Sequence, residues 1–258
     1  MICKEIFSGD SLLPVAERKI YTAQLKHIAP LSGQTRHMEF AVEGQERFEF
    51  RPGQFLSLLA DKEGREITRA YSIASAPYPG PQFDLCLNRV DDGFFSNMLC
   101  DMREGDTVRF HGPHGTFTLH TPLQDSIFVC TGTGVAPIRG FVQWLFDQPD
   151  RAQGRDFWLI YGTRHESDLY YRDYFEKVAA AHPNFHYLPT LSRGADDWKG
   201  RRGYVQDHVR QVVESLPPER RKNVEASICG LNAMVKANRT QLAELGFDKK
   251  RIVYERYD

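Results

Sequence analysis

The chain has 258 residues, 41% of them hydrophobic. That is enough to bury a large core and long for one domain of about 100 to 150 residues, so two domains are expected. Its 33 basic and 34 acidic residues leave a formal charge of -1, which supplies no global field for nucleic acid. No stretch approaches the roughly 18 uninterrupted apolar residues of a membrane span, and Met1-Ile-Cys-Lys-Glu-Ile-Phe7 lacks a cationic segment followed by an apolar run, so a cytoplasmic protein without membrane attachment is expected.

From Lys19 to about Leu119 short β-rich runs are broken by turns: Ile20 to Ile28, His37 to Val42, Gln54 to Leu59, Ala70 to Ala74, Phe83 to Val90, Thr107 to Phe110 and Thr116 to Leu119. Strands at this spacing predict a small antiparallel barrel or sandwich. Arg51-Pro-Gly53 and Arg103-Glu-Gly-Asp106 supply turns before two of them. The rhythm changes near Thr121-Pro122, dividing the chain into residues 1–121 and 122–258. Beyond it, Ser126 to Cys130 and Phe157 to Tyr161 are apolar runs of the kind buried on both faces of a parallel sheet. Helices are predicted over Ile138 to Phe146 and over Ser167 to Ala181, the latter with Ser167 or Asp168 as N-cap. Phe185 to Leu191, Glu225 to Cys229 and Arg251 to Glu255 read as further strands, and Asn232 to Leu245 as a helix closed by Gly246. The second half is therefore expected to be a doubly wound α/β domain.

Thr131-Gly-Thr-Gly-Val-Ala-Pro137 falls where a parallel strand ends and a helix begins, so backbone N–H groups and the helix dipole converge on an anionic ligand. The third glycine of a G-x-G-x-x-G turn is missing, with Pro137 expected at the first helical position. A tight βα turn needing glycine for positive φ fits the same residues. In Arg69-Ala-Tyr-Ser72, alternation puts Arg69 and Tyr71 on one face, where a guanidinium can clamp a phosphate while the phenol ring packs on a planar heterocycle. Ser72 falls on the other face and needs twist at the strand end to join them. An edge strand with a surface Arg and a half-buried Tyr is the plain alternative. Gly93-Phe-Phe-Ser-Asn-Met-Leu99 offers backbone N–H groups and the Ser96 hydroxyl to a second phosphate, or is a turn before a helical stub. Cys229-Gly-Leu-Asn-Ala-Met-Val235 places Cys229 at a strand's C-terminal end, where doubly wound folds bind ligands, although a lone Cys there is most often packing. The five cysteines, Cys3, Cys86, Cys100, Cys130 and Cys229, have neither the pairs of a zinc site nor the run of an iron-sulfur cluster, so no metal is expected.

Taken in order, R-x-Y-S, G-x-x-S-x-x-L, G-T-G-x-A-P, C-G-x-x-x-M and a final Glu-x-aromatic resemble the ferredoxin-NADP reductase family of flavoenzymes, from about Phe50 to the end. The resemblance implies an N-terminal antiparallel β-barrel binding FAD over 1–121 and a C-terminal α/β doubly wound parallel sheet binding NADP over 122–258. It implies that Arg69, with Ala70 beside it, binds the FAD pyrophosphate, that Tyr71 lies against the flavin and that the Ser72 hydroxyl is near flavin N5. Leu87, Asn88 and Arg89 with Phe94, Phe95 and Ser96 would flank the ribityl, pyrophosphate and adenine portions. Thr133 would sit between flavin and nicotinamide, with Gly134 and Gly230 in the nucleotide-binding turns. Ser72, Cys229 and Glu255 match the trio around the hydride-transfer site. Tyr257 matches the terminal aromatic covering the other flavin face, which must move before nicotinamide enters. Asp258 extends one residue beyond it.

The resemblance also implies that Ser192 and Arg193 hold the 2′-phosphate of NADPH, with Arg164 as a second cation. Tyr204 stands where some relatives carry another Arg, for which Arg201 or Arg202 could substitute. Leu231-Asn232 stands where prolines are frequent, with Asn232 as N-cap. NADPH would give a hydride to flavin N5 across about 3 to 3.5 Å, with FAD carrying the chemistry. Electrons would pass singly to a separate iron-sulfur protein such as ferredoxin, or to flavodoxin, since this chain has no cluster motif. Arg220-Arg-Lys222 and Lys249-Lys-Arg251 are basic runs that fit either docking of an acidic carrier or solvated surface. Alternatives are the reductase component of a multicomponent oxygenase and a non-catalytic flavin-binding redox sensor. A monomer is expected.

Overall fold

The computed structural model describes residues 18–152 and 154–257, so the expectations about the N-terminal segment, Cys3 and Asp258 fall outside the described residues. The first half folds into strands β1 (Tyr21–Pro30), β2 (Thr35–Val42), β3 (Phe55–Lys62), β4 (Arg65–Ser72), β5 (Gln82–Asn88) and β6 (Thr107–His114), with helix α1 (Phe94–Cys100) after β5. They form one antiparallel sheet in the order β4-β3-β6-β1-β2-β5. A bridge between Ile73, just past β4, and Leu85 of β5 brings the two edge strands together and curls the sheet into a barrel. Alternation explains the curl's filling, because inward residues Leu25, Phe40, Leu56, Leu58, Phe83 and Phe110 are fully buried in one cluster.

Thr116 to Leu119, expected as a strand, is not one. Gly115 turns the chain after β6 with φ 96°, and Phe117 is held instead by side-chain packing on Phe141, ring centroids 5.4 Å apart. The apolar signal there marks an anchor in a second core rather than a ladder.

The second half contains β7 (Ser126–Thr131), α2 (Val135–Phe146), β8 (Phe157–Thr163), α3 (Arg172–Ala181), β9 (Phe185–Leu191), β10 (Arg201–Arg202), α4 (Val205–Ser215), α5 (Pro218–Arg221), β11 (Glu225–Leu231), α6 (Asn232–Glu244) and β12 (Ile252–Tyr257). The parallel order is β10-β9-β8-β7-β11-β12, so the winding reverses between β7 and β11 and opens a crevice at their carboxyl ends. Strand alternation sends Phe128 and Cys130 of β7 to the cluster with α2 and α3, and Ile127 and Val129 to the cluster with α4 and α6. The α2 side also takes Ala74, Cys86 and Phe117 from the first half, so one apolar core is continuous across the seam.

Local details differ from expectation. Helix α2 begins at Val135, which makes Pro137 its third residue. Helix α3 begins at Arg172; Glu166–Asp168 forms a separate 3-10 turn, and Tyr171, at φ 60°, breaks the helical path before α3. Asn232 is already helical, Leu231 holds the cap position, and no side chain caps α6. Gly246 closes α6 with φ 86°, as expected. Helix α4 was not anticipated. Its Val205, Val209, Val212 and Val213 follow helical spacing, but their branched side chains favour strands locally, and burial against Ile160 and Ile228 decides for helix. Among the described residues no helix is long and apolar enough to cross a membrane.

Candidate active site at the seam of the two sheets

Parallel pairing of β11 with β12 puts Cys229 beside Glu255 and Leu231 beside Tyr257. Cys229 and Tyr257 pack into the cluster of α2, the side facing the barrel. There the end of β4 meets them. Ser72 Oγ donates to Glu255 Oε2 at 3.0 Å and lies 2.8 Å from the Tyr257 hydroxyl. Because the single Ser72 proton goes to the carboxylate, the Tyr257 O–H is the donor in the second bond. Tyr71 pairs with Leu56 and packs on the barrel core, whereas Ser72 pairs with Phe55 on the opposite face, the face the second sheet covers.

Burial sets the protonation of this group. It raises the Cys229 thiol, with Tyr257 hydrogen bonding opposing it, and lifts the Tyr257 phenol well above its ordinary range. Burial also raises Glu255, against the stabilising bond from Ser72. Thiol and phenol are therefore neutral near pH 7, and the carboxyl is displaced toward its protonated form.

Beside the group opens a cavity of about 1050 Å³ at the carboxyl ends of the parallel strands. It is walled by Thr131 at the end of β7 and Thr133 after it, Arg164 after β8, Ser192 and Arg193 after β9, Gly230 and Leu231 at β11, and Tyr257. Its glycines serve different needs. Gly132 takes φ 54° in open space, while Gly134 has ordinary φ but approaches so closely that a Cβ would lie 2.3 Å from the Cys229 carbonyl oxygen. A Cβ on Gly230 would meet Thr131 Oγ1 at 2.5 Å, and that hydroxyl is buried without a hydrogen-bond partner. At the rim Tyr204 and Leu231 are 69% and 65% exposed, large side chains left for a ligand to cover. A second cavity, about 780 Å³, lies at the amino ends of the strands around Asp125, Asp156 and Arg220, away from the trio.

On the barrel, register puts Arg69 opposite Leu58 and Tyr71 opposite Leu56, so both stand on the inner face where it runs out to the open edge. Arg69 and Ala70 are exposed and Tyr71 half-buried, its phenol pushed up to about 12 by burial against the effect of Arg69. The Leu87 and Phe95 side chains fill the barrel core, leaving only their backbones to a ligand. Asn88 Oδ1 accepts from Thr35 at 2.9 Å. Arg89 donates to Asn97 Oδ1 at 2.8 Å and pairs with Asp101, tying β5 to α1. Ser96 Oγ accepts the Val90 N–H and donates to the Gly93 carbonyl, both at 3.1 Å, so it builds the corner before α1. Phe94 is half-buried beside Lys62.

The oxidoreductase FAD-binding domain profile matches residues 22–119 and the oxidoreductase NAD-binding domain profile matches residues 128–240. Ferredoxin–NADP reductase B of Sorangium cellulosum is 40% identical over 243 residues, 92% of this chain and 98% of that protein. This chain belongs to the ferredoxin-NADP reductase family. It is an FAD-dependent oxidoreductase with the two-domain fold of that family. A ferredoxin-NADP reductase from Neisseria gonorrhoeae, with FAD and NADP bound, has the same fold with a TM-score of 0.78, at 23% identity, covering 93% of this chain and 99% of that one. The reductase component of phenol 2-monooxygenase from Pseudomonas sp. is 30% identical over 81% of this chain and 58% of that protein.

In this reductase the two cation-bearing loops are stitched together, with the Ser192 N–H on the Thr163 carbonyl at 3.0 Å and the Arg193 N–H on the Arg164 carbonyl at 2.9 Å. Arg202, a possible substitute phosphate ligand by sequence, is engaged by backbone carbonyls. Its guanidinium donates to the carbonyls of Gly194, Ala195 and Trp198 at 2.8, 2.6 and 3.1 Å, closing the loop that follows Arg193. Three arginines of the basic runs are tied into the fold as well, while Lys222, Lys249 and Lys250 are exposed. Arg220 pairs with Asp125 and Asp156 at the amino ends of the sheet, Arg221 donates to the Leu216 carbonyl, and Arg251 donates to the carbonyls of Arg221 and Val224. Sequence reading passed over Thr131, whose unpartnered hydroxyl was signalled only by its place before the glycine turn.

Proposed function

We propose that this reductase takes hydride from NADPH and passes electrons singly to a separate carrier, a ferredoxin or a flavodoxin. The hydrogen-bonded set Ser72, Glu255 and Tyr257, packed against Cys229 where the R-x-Y-S strand meets the nucleotide cavity, carries the reading. Bound FAD would supply two-electron acceptance and one-electron release, which no side chain here can do. The chain's own residues do the rest. Arg69 offers a guanidinium to the pyrophosphate, Ala70 leaves the strand open beside it, and Tyr71 presents a ring to the flavin. Backbone groups of Leu87 and Phe95, with Asn88, Arg89, Phe94 and Ser96, shape the nucleotide end of that site. Thr133, Gly134 and Gly230 bring the second nucleotide's backbone contacts up to Cys229. Ser72 and Glu255 hold a proton between serine oxygen and carboxylate at the point of transfer. Tyr257 stands between Ser72 and the cavity and has to leave before a nicotinamide enters.

Exposed Ser192 and Arg193, with Arg164 on the adjoining loop, favour NADPH over NADH, because a guanidinium pairs with the extra phosphate bidentately. The division at residues 121 and 122 fits the gap between the two matched profiles. A monomer is the assembly proposed, since Ser72, Cys229, Glu255 and Tyr257 meet within a single chain. Cys86, Cys100, Cys130 and Cys229 are free thiols, which suits a reducing compartment such as the cytoplasm. The phenol 2-monooxygenase relative supports a second reading, supply of electrons to an oxygenase.

Anaerobic rapid mixing of the FAD-loaded protein with NADPH and with NADH tests the proposal. NADPH should bleach the flavin faster, and Arg193→Glu should abolish that preference. A flavin that neither nucleotide bleaches would leave the redox-sensor reading in its place.

A further inference from the structure

The chain that continues the flavin strand, Ile73 to Ala76, runs along α2, and one face of α2 holds it. Arg139 Nη1 donates to the Ala74 carbonyl at 2.6 Å and to Asp84 Oδ2 at 2.8 Å. Gly140 approaches until a Cβ would lie 2.7 Å from the Ser75 carbonyl oxygen. Gln143 Oε1 accepts the Ala76 N–H at 2.9 Å. Asp84 is 1% exposed, takes the Tyr78 hydroxyl at 2.9 Å, and has its own N–H on Ser75 Oγ at 3.1 Å. The Arg139 guanidinium lies 4.7 Å from the centre of the Tyr171 ring. One side chain thus joins the loop just past Ser72, the strand that ends in Leu87 and Asn88, and the helix that starts at the nucleotide turn.

We propose that Arg139 is a positioning residue for hydride transfer, and that its seam with Asp84 and Ala74 sets the separation of Ser72 from the Gly132–Gly134 turn and Cys229. The inference rests on the function proposed above. Helix α2 is fixed to the nicotinamide side, because Gly134 at its cap is in contact with the Cys229 carbonyl. On the flavin side it is attached by the polar seam, beside the packing of Phe141 on Phe117. Of the two direct bonds from Ser72 across the seam, the one to Tyr257 breaks whenever Tyr257 moves aside, leaving the one to Glu255. The Arg139 contacts involve none of the atoms that move, so they keep the register while the site is open. A buried ion pair suits this task, since it tolerates few geometries and is costly to leave half-made.

Loss of the seam should therefore lower the transfer rate more than nucleotide binding. Arg139→Met alone leaves the Asp84 carboxylate buried without its cation, so it is compared with Arg139→Met/Asp84→Asn and with Arg139→Lys. In the FAD-loaded double variant, single-turnover hydride transfer from NADPH should be about 10- to 100-fold slower, the range for a displacement approaching 1 Å. KM for NADPH should stay within about threefold, because none of the nucleotide contacts is touched. The long-wavelength charge-transfer absorbance of the nicotinamide–flavin pair should weaken, and amides 74–76 should lose hydrogen-exchange protection. Arg139→Lys, which keeps the charge opposite Asp84, should recover part of the rate. A double variant with full charge-transfer absorbance and the wild-type rate per bound flavin would overturn the inference. So would a loss confined to FAD content. A wild-type flavin that NADPH does not reduce would overturn the proposed function, and this inference with it.

Discussion

Gly134→Ala should slow hydride transfer by about two orders of magnitude while leaving FAD in place. The added Cβ would lie 2.3 Å from the Cys229 carbonyl oxygen, 2.7 Å from its carbon and 3.0 Å from Gly230 Cα, all backbone atoms of β11. Ordinary contact begins at 3.4 Å, so the turn and β11 must part by about 1.1 Å. No rotamer relieves this, because none of the opposing atoms belongs to a side chain. Overpacking of this kind costs about 1 to 3 kcal/mol of stability. The larger consequence is geometric, since a misplacement near 1 Å lowers an oriented reaction by about 100-fold. Gly132→Ala is the matched control. It has φ 54° with nothing within 4 Å, so alanine there costs about 1 to 2 kcal/mol of backbone strain without pushing any neighbour. Anaerobic stopped-flow of flavin absorbance against NADPH, with melting temperatures for both variants, separates the effects. The reasoning is refuted if Gly134→Ala transfers at the wild-type rate, or if Gly132→Ala is the slower of the two.

Tyr257→Phe removes the donor to Ser72 Oγ, a bond contributing about 1 kcal/mol that must break before nicotinamide enters. NADPH should therefore bind about fivefold more tightly, and an unchanged dissociation constant counts against the gating role. Burial raises Glu255 above its ordinary 4.5, so the folded protein keeps a proton that the unfolded chain releases. Its contribution is full below pH 4.5 and is lost as pH rises through the raised folded value. Glu255→Gln should remove that decline and be the more stable protein above it; parallel melting-temperature curves against pH would contradict this. Arg202→Met frees the carbonyls of Gly194, Ala195 and Trp198, so KM for NADPH should rise while that for NADH holds, as steady-state kinetics with each nucleotide would show.

Much of the architecture was legible in short stretches because periodicity is local. Phe185 to Leu191 emerged with the boundaries the pattern gave it, and Gly246 closed α6 as its position demanded. Alternation also told the truth about Ser72, placing it opposite Tyr71; what the strand could not reveal was that a second sheet covers that face. Helix α4 was obscured because branched residues favour strands until a facing cluster rewards helical spacing. Arg202 and Arg220 illustrate a different limit. A basic side chain near a site reads the same in sequence whether it awaits a phosphate or is already spent on carbonyls or carboxylates, and only the folded chain shows these two spent.

By itself the sequence determined the two rhythms, the glycine turns and the residue types able to hold a nucleotide, since each follows from spacing within a few residues. The tertiary structure decided which of those residues meet. Ser72 and Glu255 are 183 positions apart, and their contact depends on β-barrel register, on parallel pairing of β11 with β12, and on α2 wedged between the halves. Such contacts arise from burying apolar faces against one another, and no local pattern encodes which distant faces those will be.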